Sequence, residues 1–163
     1  NNRYDIGNCL VQNKGKIYTS EWTQLKKINK FVTTIQDDTI ITLKGLESLY
    51  KDLDGNVLTC GGLSDTFDFS TNNIPKILKT SYGYDGYFGK YNSQGDLRWI
   101  KSIPGKGFES VETIATDHQN NIILTSAYYS AIDVDPSSPG YELGGNGKYG
   151  TFFGKYDTNG NLI

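Results

Sequence analysis

Two carboxylates one residue apart, Asp133 and Asp135, are the side chains of this sequence best placed for metal chemistry. They could supply oxygen ligands to a hard cation such as Ca²⁺, which takes about six to eight oxygens. The rest of a calcium-binding loop is missing from this stretch. The alternative, which the pattern favours, is that each aspartate accepts hydrogen bonds from its own backbone in a turn. We therefore expect no cofactor and keep Ca²⁺ at these two residues as the one metal candidate.

Tyrosine is the second residue type that could bind a ligand. Six of the 12 tyrosines lie in Gly61–Asp85 and Ser126–Tyr149, which together hold 49 of the 163 residues. An exposed tyrosine ring stacks on the face of a sugar and donates a hydrogen bond at little entropic cost. The candidate ligand-binding residues are Tyr82, Tyr84, Tyr128, Tyr129 and Tyr141. The alternative is that several of these rings pack against the fold.

Catalytic constellations are scarce in this sequence. Its one histidine, His118, lies in a turn-forming stretch, and no nucleophile elbow, metal-ligand pair or phosphate-binding loop is present. Gly144–Gly150 is glycine-rich, but no helix pattern follows it to bind an anion, so a flexible loop accounts for it better. A paired-carboxylate glycosidase using Asp133, Asp135 or Glu142 stays open. We expect no catalytic residues, with a carbohydrate-active enzyme as an alternative.

The composition predicts an all-β fold and disfavours two classes of partner. Aromatic residues make up 13 % of the chain, hydrophobic residues only 36 %, and 19 glycines provide for many tight turns. The formal net charge of −2 lacks the cationic field that a nucleic-acid binder needs. No apolar run approaches the ~20 residues that cross a bilayer. We expect neither nucleic-acid binding nor membrane insertion.

An eleven-residue phrase, YFGKYNSQGDL, begins at Tyr87 and returns as FFGKYDTNGNL from Phe152. When Phe88 is aligned with Phe153, 7 of the 15 positions from Tyr84 to Arg98 are identical to their counterparts. The same alignment extends upstream over the apolar and turn residues without a gap. Tyr84 and Tyr149 occupy equivalent positions, as residues with a packing role would. The repeat is therefore much longer than a hairpin.

Each copy has the pattern of short strands joined by tight turns. A third copy, IGNCLVQNKGKIYTS, precedes the other two and aligns Ile6 with Leu46. Four antiparallel strands recurring at about 40 residues or more are typical of β-propeller blades. We predict a single array of about three four-stranded blades over residues 1–163. The blades span about 1–40, about 41–105 and about 106–163, and the last lacks its final strand.

These residues resemble the SBBP-type β-propeller repeat. The resemblance rests on FGKYNSQGDLRWIKS and VETIATDHQNNIILT, which carry Phe-x-Lys-Tyr-x-x-x-Gly-x-Leu, Trp-x-Lys and Val/Ile-x-Thr. It covers about residues 46–163 well and residues 1–45 loosely, and it departs from the family at His118–Asn120, where Asp-Gly is usual. The resemblance implies a secreted or cell-surface bacterial propeller without a catalytic signature.

Three blades do not close a ring, since propellers have typically four to eight. Two arrangements stay open. The chain could be part of a longer propeller, which the absence of Met favours, or several copies could close a ring together. Cys9 and Cys60 do not occupy corresponding places in the repeat, so their pairing is also left open.

Alternate connections of an antiparallel blade lie at opposite ends of its strands. The tight turns share one end, and the other holds the insertions Gly61–Asp85 and Ser126–Tyr149 with the linker 104–110, and we name it the insertion end. Long loops on a rigid scaffold are where binding concentrates. We expect a non-catalytic recognition module that binds a glycan or a protein there. The alternatives are a structural or self-assembling unit of an extracellular surface structure and a carbohydrate-active enzyme.

Overall fold

The computed structural model describes residues 10–13, 16–20, 39–71, 75–81, 83–135, 137–138 and 140–163, with side chains from residue 44 onward. Within these residues the fold is all-β, as predicted, and no helix long and apolar enough to cross a membrane is found. The strands are β1 (Leu10–Asn13), β2 (Lys16–Ser20), β3 (Thr39–Leu43), β4 (Leu46–Lys51), β5 (Val57–Leu63), β6 (Phe67–Asp68), β7 (Ile77–Leu78), β8 (Asp85–Tyr91), β9 (Leu97–Ile103), β10 (Glu109–Thr116), β11 (Ile122–Asp133) and β12 (Glu142–Tyr156).

The second unit forms the four-stranded antiparallel sheet that its sequence predicts, in the order β4-β5-β8-β9. The third unit forms the antiparallel sheet β10-β11-β12. After β12, a single bridge joins Tyr156 to Leu162 where a fourth strand would begin. None of the described sheets is closed into a barrel.

The first unit departs from the predicted antiparallel pattern. Strands β1 and β2 form an antiparallel hairpin, but β3 pairs with β2 in parallel, from Lys16 opposite Thr39 to Ser20 opposite Leu43. The expectation of antiparallel strands throughout is therefore wrong for this pair, which lies at the predicted boundary between the first and second blades. Parallel neighbours need a long crossover connection instead of a tight turn. The intervening residues 21–38, with the segment EWTQLKKINKF, lie outside the described residues.

The tight turns repeat the same hydrogen bonds in successive units. The Asp52 carboxylate accepts the backbone N–H of Asn56 at 2.7 Å and its side-chain amide at 2.8 Å, and Asp117 repeats this pattern in the third unit. Gly55 in the first of these turns has a φ of 79°, and its counterpart Asn120 has a φ of 61°. Asparagine tolerates this left-handed conformation better than most residues. The turn at His118–Asn120 therefore keeps its shape without the usual glycine.

The main core lies between the sheets of the second and third units, which stack face to face. The second unit contributes Leu58, Cys60, Phe88 and Ile103 to this core. The third unit contributes Val111, Ile114, Ile122, Leu124, Ile132, Val134, Phe152 and Tyr156. On the opposite face of the second sheet, a smaller core of Leu46, Val57, Leu63, Tyr87, Tyr91 and Leu97 is completed by Phe69 next to β6. Both faces of the second sheet are thus covered.

The two insertions contain strands of different kinds. In the second unit β6 and β7 form a separate two-stranded ribbon. In the third unit β11 and β12 continue as one long hairpin, in which Asp133 still pairs with Glu142. Gly144–Gly150 therefore lies inside β12, and the expected flexible loop is wrong. The glycines leave space for the Tyr128 ring, which would collide with a Cβ atom at Gly144 or Gly150.

Candidate functional site

Backbone hydrogen bonds assemble the insertion end from segments distant in sequence. Glu109 donates its N–H to the Tyr84 carbonyl at 2.8 Å, and Asp133 donates to the Pro104 carbonyl at 2.8 Å. The linker 104–110 therefore runs between the second unit's insertion and the long hairpin of the third. These are the segments that the sequence predicts to share one end.

The tight turns meet at the opposite end of the strands. The Leu53 N–H donates to the side-chain oxygen of Asn120 at 3.1 Å, which joins the turns of two successive units. The Lys101 ammonium donates to the Gly160 carbonyl at 2.8 Å and thereby ties β9 to the last turn. His118 is exposed in these turns, far from the insertion end.

Aromatic rings line the insertion end. The rings of Tyr84 and Phe108 stack with centroids 4.5 Å apart and an angle of 5° between their planes. Tyr129 donates its backbone N–H to the Phe108 carbonyl at 3.0 Å, and its ring lies 4.8 Å from that of Tyr149. The four rings therefore form two pairs, and the backbone hydrogen bond between Tyr129 and Phe108 joins the segments that carry them.

The predicted ligand-binding tyrosines fall into different environments. Tyr129 and Tyr141 are exposed, whereas Tyr84 is half-buried beneath Phe108. Tyr128 packs against the core between the sheets, because adjacent residues of a strand point to opposite faces. Tyr82 lies outside the described residues.

Phe108 is an exposed ring of the linker that the sequence interpretation missed. It is the one aromatic residue of the linker PGKGFES, and the glycine before it lets the chain pass close to β11. A Cβ atom at Gly107 would collide with the Tyr129 carbonyl oxygen. The sequence does contain a signal for this ring, because Phe108 is an aromatic residue directly after the two glycines of a linker.

The two candidate metal ligands hold the tip of the hairpin. Asp133 accepts the backbone N–H groups of Asp135 at 3.1 Å and of Gly140 at 3.2 Å. Asp135 accepts the hydroxyl of Ser137 at 2.6 Å, and this hydrogen bond is the main cause that lowers the pKa of Asp135. Among the described residues no group of three or more His, Cys, Asp or Glu is placed to hold a metal ion. Ca²⁺ binding here stays a prediction.

A pair of buried carboxyl groups, Asp85 and Glu109, lies where the linker crosses the start of β8. Asp85 accepts the Ser81 hydroxyl at 2.9 Å, and Glu109 accepts the Gly107 N–H at 3.0 Å. Their other oxygens, Oδ1 and Oε2, have no hydrogen-bond partner in the described part of the chain. Burial first, and the Asp85 carboxylate in addition, raise the pKa of Glu109 to about 7 although the Gly107 N–H acts to lower it.

This carboxyl pair is a feature of the junction between units and not of the ligand-accessible surface. Both side chains are buried, so a sugar does not reach them in this arrangement. Nothing in the sequence marks the pair, because only the path of the linker brings Glu109 beside Asp85. Protonation of Glu109 relieves the repulsion between the two carboxylates.

Comparison with known proteins leaves the family of this chain open. No protein-family model matches it, and no curated protein is significantly similar to it. The likeness to the SBBP-type repeat rests on its own residues alone.

Proposed function

We propose that this chain is an array of β-propeller-type repeats that serves as a non-catalytic recognition module of a secreted or cell-surface protein. The four-stranded antiparallel sheet of the second unit supports a blade-like architecture, and so does its face-to-face packing on the third unit. The long internal repeat and its resemblance to the SBBP-type family support the same architecture and a secreted bacterial setting. Its ligand binds at the insertion end.

The observation that carries this proposal is a group of exposed rings that the repeat does not account for. We name them the recognition patch: Phe108, Tyr129 and Tyr141. The equivalent residues of the second unit are not aromatic: Leu43, Ser64 and Lys76. These rings are therefore additions to the third unit, and no packing role common to both units requires them. Exposed aromatic side chains at one end of a rigid scaffold favour binding there.

The surroundings of the patch fit a glycan. The linker follows the hairpin closely, since Lys106 donates its N–H to the Ala131 carbonyl at 3.1 Å. The Lys106 ammonium lies 3.6 Å from the Glu142 carboxylate, and both side chains are exposed. Such a surface ion pair adds little stability, so its charges are available to ligand hydroxyls. The insertion end thus offers rings that can stack on sugar faces and charged groups that can bind hydroxyls.

A glycan array, followed by titration calorimetry with the glycans that bind, tests this proposal. We expect Tyr141→Ala and Tyr129→Ala each to weaken binding by about tenfold or more, while the circular-dichroism melting curve is unchanged. Leu53→Ala is the matched control, because Leu53 is exposed at the opposite end. Binding that survives loss of both tyrosines contradicts the patch. If the array shows no binder but a protein partner is lost with the same variants, the ligand is a protein.

A carbohydrate-active enzyme remains the alternative that the same experiment tests. Any glycan that binds is incubated with the chain, and its hydrolysis is followed by mass spectrometry. Turnover that disappears in Asp133→Asn would replace the recognition proposal with a catalytic one.

A further inference from the structure

A second group of exposed aromatic residues has counterparts that a neighbouring sheet covers. Phe153 on β12 is 71 % exposed, whereas its repeat counterpart Phe88 on β8 is 0 % exposed. The Phe88 ring lies 5.0 Å from the ring of Tyr156 in the sheet of the third unit. The same repeat position is therefore core in one unit and surface in the next.

Tyr149 shows the same relation to Tyr84. Tyr149 is 81 % exposed, while Tyr84 is covered by the stacked ring of Phe108 from the following linker. In the second unit the next unit thus supplies both the sheet over Phe88 and the ring over Tyr84. These exposed residues differ from the recognition patch, because their positions are aromatic in both units.

The exposed repeat positions lie on one face of the third sheet. Tyr149, Thr151 and Phe153 alternate along β12, and they pair across to Tyr129, Ala127 and Thr125 of β11. We call the surface of Tyr149, Thr151, Phe153, Ala127, Thr125 and Ile123 the open face, and Tyr129 lies where it borders the recognition patch. The opposite face of the same strands, with Ile122, Leu124 and Phe152, is buried in the main core. Among the described residues no further sheet covers the open face.

The open face also carries an aspartate–lysine ion pair, and the equivalent pair of the second unit lies at the covered interface. In the second unit Lys90 lies 3.0 Å from Asp52, and the two side chains are 10 % and 0 % exposed. In the third unit Lys155 lies 2.9 Å from Asp117, with side chains 44 % and 15 % exposed. Lys155 and Asp117 are already paired with each other, so covering them would leave neither ion without its partner.

We propose that the open face docks a sheet of the same repeat type from a second copy of this chain. The internal contact between the second and third units is the template, because it covers the equivalent face with a sheet of the same kind. The sheet β1-β2-β3 of the second copy is the occupant, since β2 lies at the repeat position of β5, with Ile17 aligned to Val57. The contact joins two different surfaces, so it produces a ring or an open filament of copies.

Light scattering behind size exclusion tests this inference over loading concentrations from low to several hundred micromolar. We expect the wild-type mass to rise above the 18.1 kDa of one chain as concentration increases. Phe153→Lys should weaken association by at least about tenfold, or about 1.4 kcal/mol. Leu53→Lys is the matched control, with an exposed apolar residue replaced by lysine at the tight-turn end, and it should associate like the wild type.

Two results overturn the proposal. One is a wild-type chain that stays monomeric at every concentration, and the other is association that Phe153→Lys leaves unchanged. Tyr149→Lys provides a second variant on the same face, and circular dichroism of both checks that they fold. This inference does not rest on ligand binding, so a monomeric Phe153→Lys chain that still binds glycans would leave the proposed function standing.

Discussion

The sheets of the second and third units are built alike but differ in what covers them. Both use the same aspartate–lysine pair, at 3.0 Å and 2.9 Å, and the same turn hydrogen bonds. Phe88 is nevertheless buried and Phe153 exposed. The geometry inside a unit thus follows from its own residues, whereas the burial of its outward face depends on the neighbouring unit.

The two insertions show the same division between shared anchors and variable paths. The Tyr91 hydroxyl donates to the Phe69 carbonyl at 3.4 Å, and the equivalent Tyr156 hydroxyl donates to the Val134 carbonyl at 2.7 Å. Beyond these anchors one insertion forms the short β6–β7 ribbon and the other the long β11–β12 hairpin. A repeat that fixes only the base of an insertion leaves its tip free to acquire binding residues.

The largest difference between the units should come from Phe88→Ala and Phe153→Ala. Truncating a buried phenylalanine lowers the free energy of unfolding by about 3–5 kcal/mol. Truncating an exposed phenylalanine changes it by no more than about 0.5 kcal/mol. Urea unfolding of the dilute, monomeric chain measures both. Equal losses in the two variants would show that another part of the chain covers Phe153.

The ion pairs provide the second comparison. Lys90→Met leaves the Asp52 carboxylate buried without its cation, and we expect a loss of about 3 kcal/mol. Lys155→Met leaves Asp117 partly exposed to water, and unfolding of the dilute chain should change little. Urea unfolding at neutral pH measures both variants. A loss in Lys155→Met as large as in Lys90→Met contradicts the open face.

The pH dependence of stability should separate the junction from the rest of the fold. Glu109 has a pKa of about 7 in the folded chain against 4.5 as its ordinary value, so the unfolded chain releases this proton first as pH rises. The free energy of unfolding therefore falls between pH 4.5 and about 7, by at most about 1.4 kcal/mol per pH unit. Glu109→Gln should remove this decline, as chemical unfolding over that range would show.

Acid should act in the opposite direction through Asp52. Burial raises the pKa of this carboxyl, but hydrogen bonds from Asn56 and Lys90 outweigh burial and hold the pKa below its ordinary value of 3.8. Its contribution to stability is present above that pH and is lost as pH falls through the lowered pKa.

The decline in stability between pH 4.5 and 7 is assigned to Glu109. A Glu109→Gln chain that still loses stability over this range contradicts that assignment.

The smallest effect concerns the insertion anchors. Tyr91→Phe and Tyr156→Phe each remove one hydroxyl hydrogen bond, and we expect losses of about 1 kcal/mol. The Tyr156 variant should lose more, because its hydrogen bond is shorter. Amide exchange of Phe69 and Val134, followed by mass spectrometry, reports whether the base of each insertion loosens. If amide exchange is unchanged in both variants, the tyrosine hydroxyls do not anchor the insertions.

Much of the fold could be predicted because its turns are written in local sequence. The turns after Asp52 and Asp117 have the right spacing, and the strands beginning at Lys16, Val57 and Ile122 follow directly from them. Glycine normally weakens a strand, so the sequence of Gly144–Gly150 predicts a loop. In the structure this segment belongs to a strand whose glycines leave room for Tyr128.

The candidate site was less accessible to prediction than the fold. Tyr128 and Tyr129 are adjacent in a strand, so their opposite faces could have been predicted from alternation alone. Asp85 and Glu109 are distant in sequence and meet only because of the path of the linker. The exposure of Phe153 depends on a surface outside its own sheet, which the pattern of a repeat does not reveal.

Hydroxyl-radical footprinting of Phe153 and Phe88 tests the central claim most directly, since it compares equivalent residues within one chain. In dilute solution the account predicts that Phe153 is oxidised many times faster than Phe88, and that its rate falls as the chain is concentrated and associates. Phe153 oxidised as slowly as Phe88 in dilute solution, or at one fast rate at every concentration, would contradict the account.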